Sequence, residues 1–133
     1  MQRVEAATLL KLIPKGTPLC ENDELLCSQS ATALAPALAA YRDTQAAPSG
    51  ARSEVLPGTT SIDETGGKLT FEMLLALATL QPDPELERHT VVGVLPLKGG
   101  DVLCLWAGAK ASNWEAGDGV VLKRAVETFA LRQ

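Results

Sequence analysis

The side chains able to do chemistry in this 133-residue chain are few. Cysteine occurs at three positions, Cys20, Cys27 and Cys104, and histidine only at His89. A Cys–His nucleophilic pair would need one thiol to meet that imidazole in space, and neither residue type sits in a local signature for it. Tetrahedral zinc uses closely paired cysteines or partner histidines, and the spacing here offers neither. Glu21, Asp23 and Glu24 cluster without the spacing of a calcium-binding loop and read as solvated charge. The stretch "TGGKLT" has the letters of a phosphate loop but not its pattern. A glycine is needed five residues before the Gly-Lys pair, and a serine or threonine directly after the lysine. Ile62 and Leu69 stand there instead. The expectation is a non-catalytic protein with no metal and no cofactor.

Both tryptophans fall within "GGDVLCLWAGAKASNW", residues 99–114, in a chain that is 4% aromatic. Trp106 ends the apolar run that follows the Gly-Gly turn, so it either lines the core or faces a flat ligand. As pocket lining or core it adds stability, because buried aromatics dominate packing energetics. Trp114 is expected to anchor the last helix against the sheet.

The elements that must position these residues can be read from periodicity. Apolar residues recur at helical spacing from Val4 to Ile13, and Pro14 stops that helix. "ATALAPALAAYR" predicts a helix from Pro36 onward, since proline is tolerated in a first turn. A short strand is expected at residues 25–27. Residues 43–66, rich in Gly, Pro, Ser and Thr, predict a flexible loop. "KLTFEMLLALATL" reads as a helix capped by Thr70, with Phe71, Leu74, Leu75, and Leu77 or Ala78 on its apolar face. "TVVGVLPL" and "DVLCLWA" flank Lys98-Gly99-Gly100 and predict a hairpin. Val121, Leu122, Ala125, Val126 and Phe129 form a final helical stripe. The fold class expected is α+β: one domain spanning 1–133, a curved antiparallel sheet with helices packed on one face.

Charge and composition set further bounds. Twelve Lys and Arg against sixteen Asp and Glu give a net charge of -4, which provides no general attraction for nucleic acid. An apolar content of 46% suits a globular core. No apolar run approaches the roughly 18–20 residues of a membrane span, so no membrane contact is expected. An odd number of cysteines without framework spacing points to reduced thiols and a cytoplasmic setting. The amphipathic opening with Arg3, Lys11 and Lys15 leaves a mitochondrial location as the alternative.

The order of "VEAATLLKLI", "FEMLLALATL", "VVGVLPLKGGDVLCLW" and "VVLKRAVETFALRQ" resembles the eukaryotic cap-binding translation initiation factor 4E family. The resemblance covers about half the chain and implies a curved sheet with helices on its convex back. In that family the concave side sandwiches 7-methylguanine between two tryptophans and clamps its phosphates with Arg and Lys. Trp106 matches a third tryptophan that approaches the methyl group from the side. No tryptophan precedes it, so both sandwich positions are empty, and the clamp positions fall on Leu97 and Val102. Only Lys98 stands nearby. The family's partner-binding back would correspond to Val4, Thr8, Phe71 and Leu75, with Thr8 in place of a tryptophan.

The resulting expectation is a protein-interaction subunit or adaptor of a translation-related RNA–protein assembly, with a reduced cap-binding-like fold. One alternative is a nucleotide or mRNA-cap binder using Trp106 and Lys98. The other is a small acidic dimeric α/β chaperone or adaptor that binds a partner's extended segment. Each stacked base is worth roughly 1–3 kcal/mol, so an empty sandwich removes most cap affinity. Titration with 7-methylguanosine triphosphate, followed by tryptophan fluorescence, is expected to show no saturable quenching. Micromolar saturation poorly competed by GTP would favour the nucleotide binder instead.

Overall fold

The structure is a computed structural model and describes residues 2–17, 30–45, 51–63, 67–77, 87–97 and 99–129. Cys20, Cys27, the Glu21–Asp23–Glu24 cluster, the strand expected at 25–27 and Lys98 lie outside the described residues. The described chain is α+β, an antiparallel sheet with helices packed on it. Its strands are β1 (Gln2–Val4), β2 (Ala51–Val55), β3 (Ser61–Asp63), β4 (Lys68–Leu77), β5 (Arg88–Pro96) and β6 (Val102–Lys110). They run in the order β1-β6-β5-β4-β2, with β3 also on β4. The helices are α1 (Ala6–Leu12), α2 (Ala31–Gln45), α3 (Ala111–Asn113) and α4 (Gly119–Thr128), and a wide turn at Trp114–Asp118 joins the last two.

The β5–β6 hairpin forms where the sequence puts it, because β-branched valines flank a turn that only glycines can make. Gly99 and Gly100 take φ of +90° and +92°, a region costly for other residues. The Leu97 N–H donates to the Asp101 carbonyl at 2.8 Å and closes the turn.

Strand β4 replaces the expected helix over 68–80. Leu69, Phe71, Met73 and Leu75 recur with period two as well as with near-helical spacing, so the run is ambiguous by pattern alone. Tertiary pairing decides it. β4 bonds to β5 along one edge and to β2 and β3 along the other, with Leu69 opposite Val94 and Phe71 opposite Val92. Thr70 sits between Ser61 and Gly93 in the ladder and caps nothing.

Residues 43–66, expected as loop, hold the two short strands of one sheet edge. β2 pairs with Met73–Leu77 and β3 with Lys68–Thr70, on the same edge of β4. Residues 56–60 bulge between them, and the Thr59 hydroxyl takes over the missing ladder bond. It accepts from the Glu72 N–H at 3.1 Å and lies within bonding reach of the Leu56 carbonyl at 2.7 Å. Val55 and Ile62 flank the bulge and both pack against the core, although 43–66 reads as polar loop in sequence.

The helices cover two faces. Leu69, Phe71, Met73, Val92, Val94, Val102 and Cys104 point to α1 and α2 in one apolar cluster. α2 starts at Ala31, five residues before the expected Pro36, and packs Ala31, Ala35, Ala37 and Ala39 into that cluster with Leu34 and Leu38. Small side chains let the helix lie close to the sheet. The first helix is shorter than expected, because Val4 is in β1 and only Ala6–Leu12 is helical.

α4 lies on the opposite face, where a Cβ on Gly93 would stand 2.8 Å from Val126 Cγ1. Val126 is buried, Leu122 and Phe129 are half-buried, and Val121, expected in the stripe, is 67% exposed. The Lys68 ammonium donates to the carbonyls of Val126, Glu127 (2.9 Å) and Phe129 (2.8 Å), and so caps the C-terminus of α4. Burial there lowers its pKa from the ordinary lysine value.

Asp101 ties the hairpin turn to β1 and α1. Its Oδ1 accepts from the Ala6 N–H at 3.0 Å and its Oδ2 from Arg3 Nε at 3.0 Å. The Ala6 bond first, then Arg3, holds its pKa below the usual carboxylate value. A carboxylate depressed in the folded state stabilises above its unfolded pKa of about 3.9, and that stabilisation disappears as pH falls through the folded value. Asp101→Asn is therefore expected to melt below the parent at pH 7, with the two curves converging towards pH 2. Thermal denaturation across that range measures the gap; a gap constant with pH would exclude the charged form as its cause.

Candidate partner-binding cleft

Strand alternation places the even residues of β6 on the α2 face. Trp106 follows Val102 and Cys104 there, opposite Val92. It is half-buried against the core edge, just where α2 ends. Its indole N–H donates to Gln2 Oε1 at 3.1 Å, and the Arg42 guanidinium lies 5.2 Å from its ring centroid. That is the range of a cation–π contact.

Beyond Trp106 the face opens into a cleft of about 470 Å³, within the range of about 300–1,000 Å³ typical of ligand sites. Met73, Leu75 and Thr90 form its floor, with Arg42 and Arg88 at its sides. Gly108 keeps it open towards the sheet edge, because a Cβ there would stand 2.6 Å from Thr90 Oγ1. Asp43 also lines the cleft, but Ser53 engages both its oxygens, through its N–H at 2.9 Å and its hydroxyl at 2.7 Å. Arg42 and Arg88 have no ion pair among the described residues. The arrangement suits an acidic group beside apolar surface.

The expected site residues are distributed unevenly around this cleft. Trp106 and Leu75 line it. Val4 and Phe71 are core residues at 1% exposure, and Thr8 is half-buried on α1. The four residues suggested as a partner face therefore do not share one surface. Lys98 is outside the described residues, and its neighbours Leu97 and Gly99 belong to the hairpin turn, at the other end of β6 from the cleft. Arg42 and Arg88 carry no motif in sequence; only the β4–β5–β6 register and the length of α2 bring them together.

The other face holds a polar cluster. His89 stacks on Trp114 at 3.8 Å with rings 5° from parallel, and its Nε2 lies 2.9 Å from Glu72 Oε1. Lys123 approaches Glu72 Oε2 at 3.6 Å. Trp114 thus fastens the wide turn before α4 to the sheet, and Gly119 packs against its ring with no room for a Cβ. His89 and Cys104 face opposite sides of the sheet, so they form no nucleophilic pair. Burial pushes the Cys104 thiol up to about 12, leaving it protonated and unreactive at neutral pH.

No protein-family model matches the chain, and no match is found among curated proteins.

Because Trp106 is half-buried and packs against the core, Trp106→Ala is expected to cost about 2 kcal/mol, below the 3–5 kcal/mol of a fully buried aromatic. Thermal melts check it, and an unchanged stability would mean that the ring serves only a ligand.

Proposed function

We propose that this chain is a non-catalytic protein-interaction subunit whose partner docks in the cleft over Trp106. The observation that carries this reading is a pair of exposed arginines without ion pairs among the described residues, set beside the apolar floor of Met73 and Leu75. On a chain of net charge -4 such a local basic site selects an acidic partner. The buried, protonated Cys104 supports a binding role over a nucleophilic one.

A nucleotide-binding role has less support. Arg42 already lies over the Trp106 ring and Gln2 already holds its N–H, so a stacking base would have to displace the guanidinium. A translation-related RNA–protein setting rests on the sequence resemblance, whose hairpin and last helix are present and whose Leu-rich helix is instead strand β4.

Affinity capture from a lysate of the source cells, with the parent chain and an Arg42→Glu/Arg88→Glu variant of equal melting temperature, tests the reading. A protein partner retained by the parent and weakened at least about tenfold by the variant, a loss of about 1.4 kcal/mol or more, is the expected result. Equal retention by both would remove the cleft from the function.

A further inference from the structure

The cleft adjoins an edge of the sheet whose backbone groups are only partly used. The Leu97 N–H to Asp101 carbonyl bond and the Ala111 N–H to Glu87 carbonyl bond bracket the β5–β6 ladder. Residues opposite each other sum to the same number throughout that ladder, as in Gly93 with Leu105 and Val91 with Ala107. The odd residues of β6 therefore bond to β5, and the even residues turn their N–H and carbonyl groups to the other edge. β1 uses that edge only at Val102–Cys104. The backbone groups of Trp106, Gly108 and Lys110 face outward with no strand beside them among the described residues, and the Gly108 carbonyl accepts a long bond from the Arg88 guanidinium at 3.5 Å.

Two further features say what would fit there. On the α2 face, Arg88 and Lys110 stand directly opposite each other in the ladder, both exposed and neither in an ion pair among the described residues. Like charges so placed destabilise a sheet unless an anion lies between or beside them. Arg42 adds a third cation at the same end, and Gly108 presents no side chain between the edge and these cations. On the other face, Leu103 and Leu105 of β6 are only half-buried and Ala107 beside them likewise. A strand laid along this edge would send alternate side chains to a basic face and to an apolar one.

We propose that an extended segment of a partner protein, alternating acidic with apolar residues, adds as a strand along Leu105–Lys110 of β6. Its carboxylates reach across Gly108 to Arg88, Lys110 and Arg42, and its apolar residues cover Leu105 and Ala107. The free stretch spans roughly 20 Å at about 3.4 Å per residue, room for a strand of five or six residues. Main-chain bonds hold the segment and the charge pattern selects it. This inference rests on the interaction-subunit reading and specifies the chemistry of its partner. A second copy of this chain is a poor occupant, because its own Arg42, Arg88 and Lys110 would meet these.

The test uses the full chain and a capped ten-residue peptide alternating glutamate with valine, followed by amide hydrogen exchange in NMR spectra. Saturable binding is expected, with exchange at the Trp106 and Gly108 amides slowed at least tenfold and the already bonded Ala107 amide unchanged. The lysine–valine peptide is expected not to bind. An Arg88→Glu/Lys110→Glu variant should weaken the glutamate peptide at least tenfold. N-methylating alternate residues of the peptide, so that its pairing edge has no donors, should do the same without altering the protein.

Binding with no protection at Trp106 and Gly108 would overturn strand addition while leaving the cleft arginines as an acidic-partner site. Equal binding of both peptides would overturn the charge assignment, and no binding at millimolar peptide would overturn the inference outright. Protection of these amides in the free protein together with a dimer in sedimentation would assign the edge to a second copy instead. Affinity capture insensitive to Arg42 and Arg88 would remove the interaction reading independently of any exchange result.

Discussion

Strand β5 has no solvated face, and the rest of the architecture follows from that constraint. Val91, Val92, Val94 and Leu95 are all buried, although successive side chains in a strand point to opposite sides. Each such side chain gains roughly 1.5–3 kcal/mol only if something covers it. A two-layer arrangement with one bare face would forfeit half of that, so helices are required on both sides. On one side α2 approaches on a row of alanines; on the other α4 approaches over Gly93, where a side chain would collide with Val126. Small residues thus sit where each helix must come closest, once on the helix and once on the strand.

The polar groups that fix these layers lie at the ends of elements. Lys68 begins β4 and closes the carbonyl end of α4, so an inner strand of the sheet also terminates the helix packed on that face. Asp101 follows the glycine turn of the hairpin and receives both the first N–H of α1 and Arg3 of β1. Gln2 then connects β1 to the Trp106 indole and, through Tyr41 and Gln45, to the end of α2. The short β1 is held by side chains more than by its three ladder positions. Among the described residues it pairs only with Val102–Cys104, and the remainder of β6 has no neighbour on that edge.

Much of this order was legible in the sequence wherever local chemistry and tertiary demand agree. The hairpin was, because paired glycines separate two β-branched runs, and so was α4, because its apolar residues repeat at helical spacing. β4 was not. Its Leu and Met content and the Leu74–Leu75–Leu77 spacing favour a helix locally, and only two-sided pairing with β5, β2 and β3 overrides that propensity. β2 and β3 were hidden by composition, since an edge strand needs only backbone groups and an occasional Val55 or Ile62 against the core. The cleft was half legible. Trp106 could be singled out by type and position, whereas Arg42 and Arg88 are ordinary surface arginines until the register brings them together.

An unpaired strand edge invites association with any other strand, and proteins commonly protect it with lysine or by shortening its neighbour. Lys110 on β6, opposite Arg88, fits that protective role, and it would be reason enough for the charge if protection were all that the end of the sheet had to achieve. Protection alone does not account for Arg42 over the Trp106 ring. Gly108 removes the side chain that would most simply shield the edge, and it opens the gap to an apolar cleft. Thr90 keeps that position empty, since a Cβ there would stand 2.6 Å from its Oγ1. On the proposed reading, cations that repel a second copy, beside a glycine that puts no side chain in the way, close the edge to its own kind and open it to an acidic strand. Exclusion and selection come from the same charges, because like-charge repulsion in one pairing is attraction in the other.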